Sequence, residues 1–214
     1  MLNLLQQERG DLDAWSTEQV KKFHEQQEMI PVNHRELAEL AEFRLLDLKD
    51  DLEQSDSSIA AVLQGGAQET VMRNFIAHEL RGKASGCYTI TQEEEFADAK
   101  RPDLRFHGNG FDGPVPAELK LAEKWTGPAL FERLENQLCG DYLRDVRSGR
   151  GIFILVYRNN EIREHWQAPG EKTRLNFSQL IERLQLHWKS ISHRFQYIDD
   201  ILIIGIDLEK RFVR

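Results

Sequence analysis

From Asn33 onward, apolar residues recur at three- and four-residue steps: Leu37, Leu40, Ala41, Leu45, Leu48 and Leu52. That spacing lines one face of a helix. Asn33, followed three residues later by Glu36, supplies a capping-box start just after Pro31 breaks the chain. Upstream, Ser16 and Gln19 repeat the capping pattern, with Val20, Phe23 and Met29 as a sparser apolar contribution. Asp50, Asp51 and Glu53 lead into Ser55-Asp56-Ser57-Ser58, a connector. Residues 1–62 therefore read as an N-terminal helical segment. It is too short to bury its stripe alone, so it must pack on the following domain or on another body.

Gly65-Gly66 marks the next boundary, and residues 63–214 read as one domain. A helix follows with Val71, Met72, Phe75, Ile76 and Leu80 on one side, ending near Arg81-Gly82. Cys87–Thr91 is β-branched and aromatic, as a strand requires, and Gln92–Phe96 continues it or turns out of it. Arg101–Phe106 is a second strand, His107–Gly113 a turn, and Val115–Leu121 a third strand whose proline sits near its start. Leu130, Leu134, Leu138 and Tyr142 predict a helix over 129–146. The continuous apolar runs 151–157 and 200–207 predict strands buried on both faces, separated by an amphipathic helix over 177–191. The order α-β-β-β-α-β-α-β gives an α/β fold in which a three-strand meander feeds right-handed crossovers, with a mixed central sheet flanked by helices.

Against that frame of elements, three residues stand out. In the third strand Glu118 and Lys120 alternate with Leu119, so they share a face while Leu119 points to the core. Asp103, early in the second strand, can lie beside Glu118 across an antiparallel pair. Two carboxylates with an ammonium next to them suit phosphodiester hydrolysis: hard oxygens hold Mg²⁺, and the lysine orients the attacking water or offsets developing charge. Base chemistry by Lys120 would need a depressed pKa.

Pro102-Asp103, then fourteen residues, then Glu118-Leu119-Lys120, resembles the PD-(D/E)xK nuclease superfamily. The αβββαβ order over roughly residues 65–160 is similar to that superfamily's restriction-endonuclease-like core. The resemblance implies a metal-dependent DNA endonuclease with Asp103, Glu118 and Lys120 as its catalytic core, Mg²⁺ as cofactor and Mn²⁺ as a substitute. It also implies a further acid from the helix before the first strand, for which Glu69 and Glu79 are the candidates and Glu69 is favoured; Asp103, Glu118 and Glu69 would then be the metal ligands. Some branches carry Gln-x-x-x-Tyr on the helix after the ExK strand. Here Gln137 and Tyr142 have four residues between them, which on an α-helix places them on different faces. Gln137 and Lys124 are the expected DNA contacts, with Trp125 beside a base or sugar. Core packing of Tyr142, a solvated Lys124 and a half-buried Trp125 are the plainer alternatives.

Composition qualifies this picture. With 40% hydrophobic and 30% charged residues the chain is of ordinary globular type. No apolar run approaches a membrane span, and Met1-Leu2-Asn3 lacks the basic start of a secretory signal. Cys87 and Cys139, with no CxxC, point to a reducing, cytoplasmic setting. The net charge of −8 argues against strong intrinsic DNA binding and for help from another domain or subunit. Phosphate loops and nucleophile elbows are absent, and His107, His187 and His193 lack partners at ligand spacing. The chain is also similar to nuclease domains at the C-termini of bacterial restriction or anti-phage defence proteins. Two other readings stand beside this one: a catalytically inactive nuclease fold that binds nucleic acid or protein, and a homodimer built on the Leu37–Leu52 stripe.

Overall fold

The computed structural model describes residues 16–18, 29–55, 58–65, 68–92, 102–143, 147–158 and 164–210. The chain divides into two compact units, Met1–Ile30 and Pro31–Arg214. The helix start expected at Ser16 runs into residues 19–28, outside the described residues, as do Gln92–Phe96 beyond Gln92 and the end of the helix expected to reach 146.

Helix α1, His34–Gln54, begins as the capping pattern dictates. The Asn33 side chain accepts the N–H groups of Arg35 and Glu36, and Glu36 accepts the Val32 N–H in return. All six residues of the expected stripe are buried. What covers them is the sheet, because α1 packs against β2 (Leu104–Gly108), β3 (Val115–Leu121), β4 (Arg150–Tyr157) and β5 (Asp200–Asp207). The division into compact units falls at Ile30–Pro31, and burial of the α1 stripe makes that helix part of the sheet's own unit. A short α2 (Ala60–Gln64) leads to α3 (Glu69–Gly82), which buries Met72, Ile76, Ala77 and Leu80 and leaves Val71 exposed.

The sheet has five strands in sequence order, from β1 (Tyr88–Thr91) to β5. β1, β2 and β3 form an antiparallel meander, and β3, β4 and β5 run parallel, so the sheet is mixed, as the element order predicts. β3 and β4 are buried along almost their whole length, as the continuous apolar run of β4 predicts; in β3 the buried stretch includes Glu118 and Lys120. β2 starts three residues later than expected. Carried two residues beyond Leu104↔Ala117, its register sets Pro102 opposite Leu119. Proline has no N–H to donate to the ladder, and beside it the Asp103 carboxylate accepts the Leu119 N–H at 2.9 Å.

Beyond β3 the chain makes a 3-10 turn, Ala122–Lys124, then α4 (Gly127–Glu132), capped by Thr126. The next segment, Arg133–Tyr142, is a π-helix rather than a continuation of α4. With α5 (Phe177–Ile191) it covers Phe153, Leu155 and Tyr157 of β4 and Ile201 and Ile203 of β5. α5 opens with a full capping box, Asn176 and Gln179, which the sequence reading did not pick out. Of the edge strand's outward groups, Ile203 O accepts from Gln185, Gly205 O from Lys49, and Asp207 N–H donates to Glu53. No helix among the described residues is long and apolar enough to cross a membrane.

Candidate active site

Glu118 and Lys120 project from the same face of β3, and the antiparallel register carried one residue past Leu104↔Ala117 sets Asp103 opposite Glu118. Glu69 reaches the same point from the first turn of α3. Lys120 Nζ lies 2.5 Å from Glu118 Oε1, 3.3 Å from Glu69 Oε1 and 3.9 Å from Asp103 Oδ2. The ammonium is thus the common neighbour of three carboxylates. Their side-chain exposure rises from 1% at Glu118 through 15% at Asp103 to 31% at Glu69, so the cluster runs from the interior to solvent.

Two of the acids are further held from the backbone of β3. Asp103 Oδ2 accepts from Leu119 N–H, and Glu69 Oε2 accepts from Leu121 N–H at 3.4 Å. The other Asp103 oxygen takes Arg73 at 3.1 Å. Arg73 was not anticipated, although it stands four residues after Glu69 and so on the same helix face. Of the two acids considered on this helix, Glu69 reaches the cluster; Glu79 is partly buried near the far end of α3.

The charges explain the proton affinities. Burial, followed by the Asp103 charge, pushes the Glu118 carboxyl up to about 7, with Lys120 opposing. For Lys120, burial alone would lower the pKa. The charges of Glu118, Glu69 and Asp103 together outweigh it, and the net shift is upward. Lys120 is therefore a firm ammonium here, suited to orienting groups and offsetting negative charge rather than to taking a proton.

The π-helix alters the expectation for Gln137 and Tyr142. In an α-helix residues five apart diverge, but a π-helix bonds i to i+5, as in Leu143 N–H to Leu138 O at 3.2 Å. Gln137 and Tyr142 consequently share a face, and Gln137 Nε2 donates to the Tyr142 hydroxyl at 2.5 Å. Tyr142 is both core, at 6% exposure, and site: burial first, then the adjacent Glu118 charge, raises its pKa. Arg133, at the start of the π-helix, reaches Gln137 Oε1 at 3.4 Å and lies over the Trp125 ring, its Cζ 5.0 Å from the centroid. Lys120 Nζ is 5.6 Å from the same centroid. A chain of contacts thus runs from Trp125 through Arg133 and Gln137 to Tyr142, whose hydroxyl lies within the electrostatic reach of Glu118. Lys124 is exposed in the 3-10 turn. Beside it, Glu123 is fully buried and paired with Arg158, Nε to Oε1 at 2.7 Å, a pair the sequence reading missed. His107 lies on β2 against Thr91, and His187 packs against the Phe131 ring.

The donors are hard carboxylate oxygens, the kind that Mg²⁺ prefers, although the two cations among them leave a formal charge of only −1. Three carboxylates face two cations, Lys120 and Arg73, and Glu118 Oε2 is buried with no hydrogen-bond partner. In the arrangement described, the ammonium stands among those oxygens, and no group of three His, Cys, Asp or Glu side chains among the described residues is set to hold a metal ion. No protein-family model, curated protein or solved structure matches this chain.

Proposed function

We propose that the αβββαβ part of this chain is a restriction-endonuclease-like core and that it hydrolyses phosphodiester bonds in DNA with Mg²⁺. The observation that carries this reading is the convergence of Asp103, Glu118 and Glu69 on Lys120 at one face of β3, with Glu118 buried and a carboxylate oxygen unpaired. Asp103, Glu118 and Glu69 would hold the ion. When bound, Mg²⁺ supplies Lewis acidity toward a phosphate oxygen and toward water. Lys120, a firm ammonium, orients the attacking water and offsets charge on the phosphoryl oxygens. Gln137 holds the Tyr142 hydroxyl beside the Glu118 charge. Arg73 keeps Asp103 aligned. A role as an effector in bacterial restriction or anti-phage defence, in the cytoplasm and with a partner that delivers DNA, fits an acidic chain with few cations at the site.

One observation favours a second reading. Lys120 engages the carboxylates and leaves no group ready for a metal among the described residues, as would suit an inactive nuclease fold that binds nucleic acid or a second protein copy. Cleavage of supercoiled and linear DNA with Mg²⁺ or Mn²⁺ separates the two. Metal-dependent cutting by wild type, lost in both Asp103→Ala and Lys120→Ala, is the expected result. A folded wild type that neither cuts nor binds Mn²⁺ calorimetrically would overturn the hydrolytic reading in favour of the second.

A further inference from the structure

Trp125 is held in place more firmly than a surface tryptophan needs to be. Its N–H donates to Ala122 O at 3.1 Å, and its own carbonyl and that of Ala122 both accept the Trp166 indole N–H, each at 3.1 Å. Trp166 is itself 1% exposed, so a buried residue pins the backbone at both ends of the 3-10 turn. The Trp125 ring is half-buried, packed on the core along one part and open along the rest. Its two cationic neighbours differ in kind. Lys120 belongs to the carboxylate cluster, whereas Arg133 is exposed. The backbone beneath the ring is therefore fixed, and the ring is a part-open π surface bordering the carboxylate cluster, with the exposed Arg133 guanidinium over it.

Resting on the reading of the cluster as a phosphodiester-cleaving site, we propose that Trp125 and Arg133 form a stacking subsite for an unpaired nucleobase next to the scissile phosphate, so that the substrate is single-stranded DNA. Aromatic rings flanked by cations hold bases through stacking and cation–π attraction, without regard to sequence. A base inside a duplex already stacks on its neighbours and does not offer its face; an unpaired base does. The charge balance points the same way. Phosphate contacts from lysine and arginine supply essentially all non-specific duplex affinity. Here the net charge is −8, Arg73 is committed to Asp103, and among the described residues the cations over the ring are Lys120 and Arg133. Stacking makes few demands on charge.

The test measures binding apart from cutting. A fluorescein-labelled deoxythymidine decamer and a blunt duplex of equal length are titrated with the full chain in Ca²⁺, and electrophoresis verifies that the DNA stays intact. Wild type should bind the single strand at least about tenfold more tightly than the duplex. Trp125→Ala should lose about tenfold or more for the single strand, and Trp125→Phe, which keeps a ring, should lose less. Indole quenching by the decamer should vanish in Trp125→Phe although the other tryptophans remain. Equal affinity for the two DNA forms, no binding of either, or a folded Trp125→Ala that binds the decamer as wild type does would overturn the subsite. Cleavage in Mg²⁺ is scored separately. Cutting with no effect of Trp125 removes the subsite and keeps the nuclease; Trp125-dependent binding with no cutting does the reverse.

Discussion

Replacing Glu118 by glutamine should make the protein more stable at neutral pH, although it removes one member of the proposed catalytic set. The Glu118 side chain is 1% exposed, and its carboxyl is pushed from an ordinary 4.5 to about 7 by burial first and Asp103 second. A raised folded-state pKa means that folding favours the protonated acid. Below about pH 4.5 folded and unfolded chains both hold the proton. Between there and about 7 the unfolded chain has lost it and the folded chain has not, so stability falls as pH rises. Above that range both are ionised and the loss is complete. At about 1.4 kcal/mol per pH unit, the ionised folded form is about 3 kcal/mol less stable than the acid form. Glutamine has nearly the same shape and never ionises, so it escapes the loss.

The measurement is urea unfolding of wild type and Glu118→Gln from pH 4.5 to pH 8 with a chelator present. The two curves should nearly meet at the acid end and separate by about 3 kcal/mol at pH 8, which for a chain of this size is roughly 6–12 °C in Tm. Other acids titrate in both proteins and cancel in the difference. Mg²⁺ should then narrow the gap at pH 8, since only wild type carries the full set of oxygen charges. A constant gap across the range, or a glutamine variant that is the weaker at pH 8, would refute the claim that Glu118 is held ionised against the preference of its surroundings.

Tyr142→Phe removes the hydroxyl that meets Gln137 and Glu118, and should lower kcat for DNA cleavage about tenfold with KM little changed; steady-state kinetics on a labelled substrate reads this directly. Arg158→Met leaves Glu123 buried without its cation and should cost about 3–5 kcal/mol in urea unfolding, while Glu123→Leu combined with Arg158→Met should recover most of the loss. Gly127→Ala would set a Cβ 1.9 Å from the Gln167 carbonyl oxygen, a backbone atom that a side-chain rotation cannot clear. A loss of about 2–4 kcal/mol is expected, seen as a lower Tm in differential scanning calorimetry.

The parts of this fold that were legible in the chain are those where one strong physical pattern acts alone. β4, α5 and β5 lie where the apolar runs and the helical stripe place them. The neighbourhood of Asp103, Glu118 and Lys120 follows from period-two alternation and an antiparallel register. The divergences arise where two patterns compete. Pro102 stands where residue composition alone would extend the ladder, and next to it Asp103 takes Leu119 N–H as a backbone partner. Residues at four-residue steps, Leu130, Leu134, Leu138 and Tyr142, read naturally as an α-helix, yet from Arg133 the chain takes the i to i+5 register. That register changes the meaning of a spacing. Gln137 and Tyr142, which an α-helix would turn apart, meet because the helix is wider there. The costlier helix form is compensated on the same segment by burial of Leu134, Leu138, Cys139 and Tyr142. Its polar face therefore carries the functional consequence of a departure whose stability comes from its apolar face. The same division applies at Glu118, where a buried acid that weakens the fold has the chemistry the proposed reaction needs.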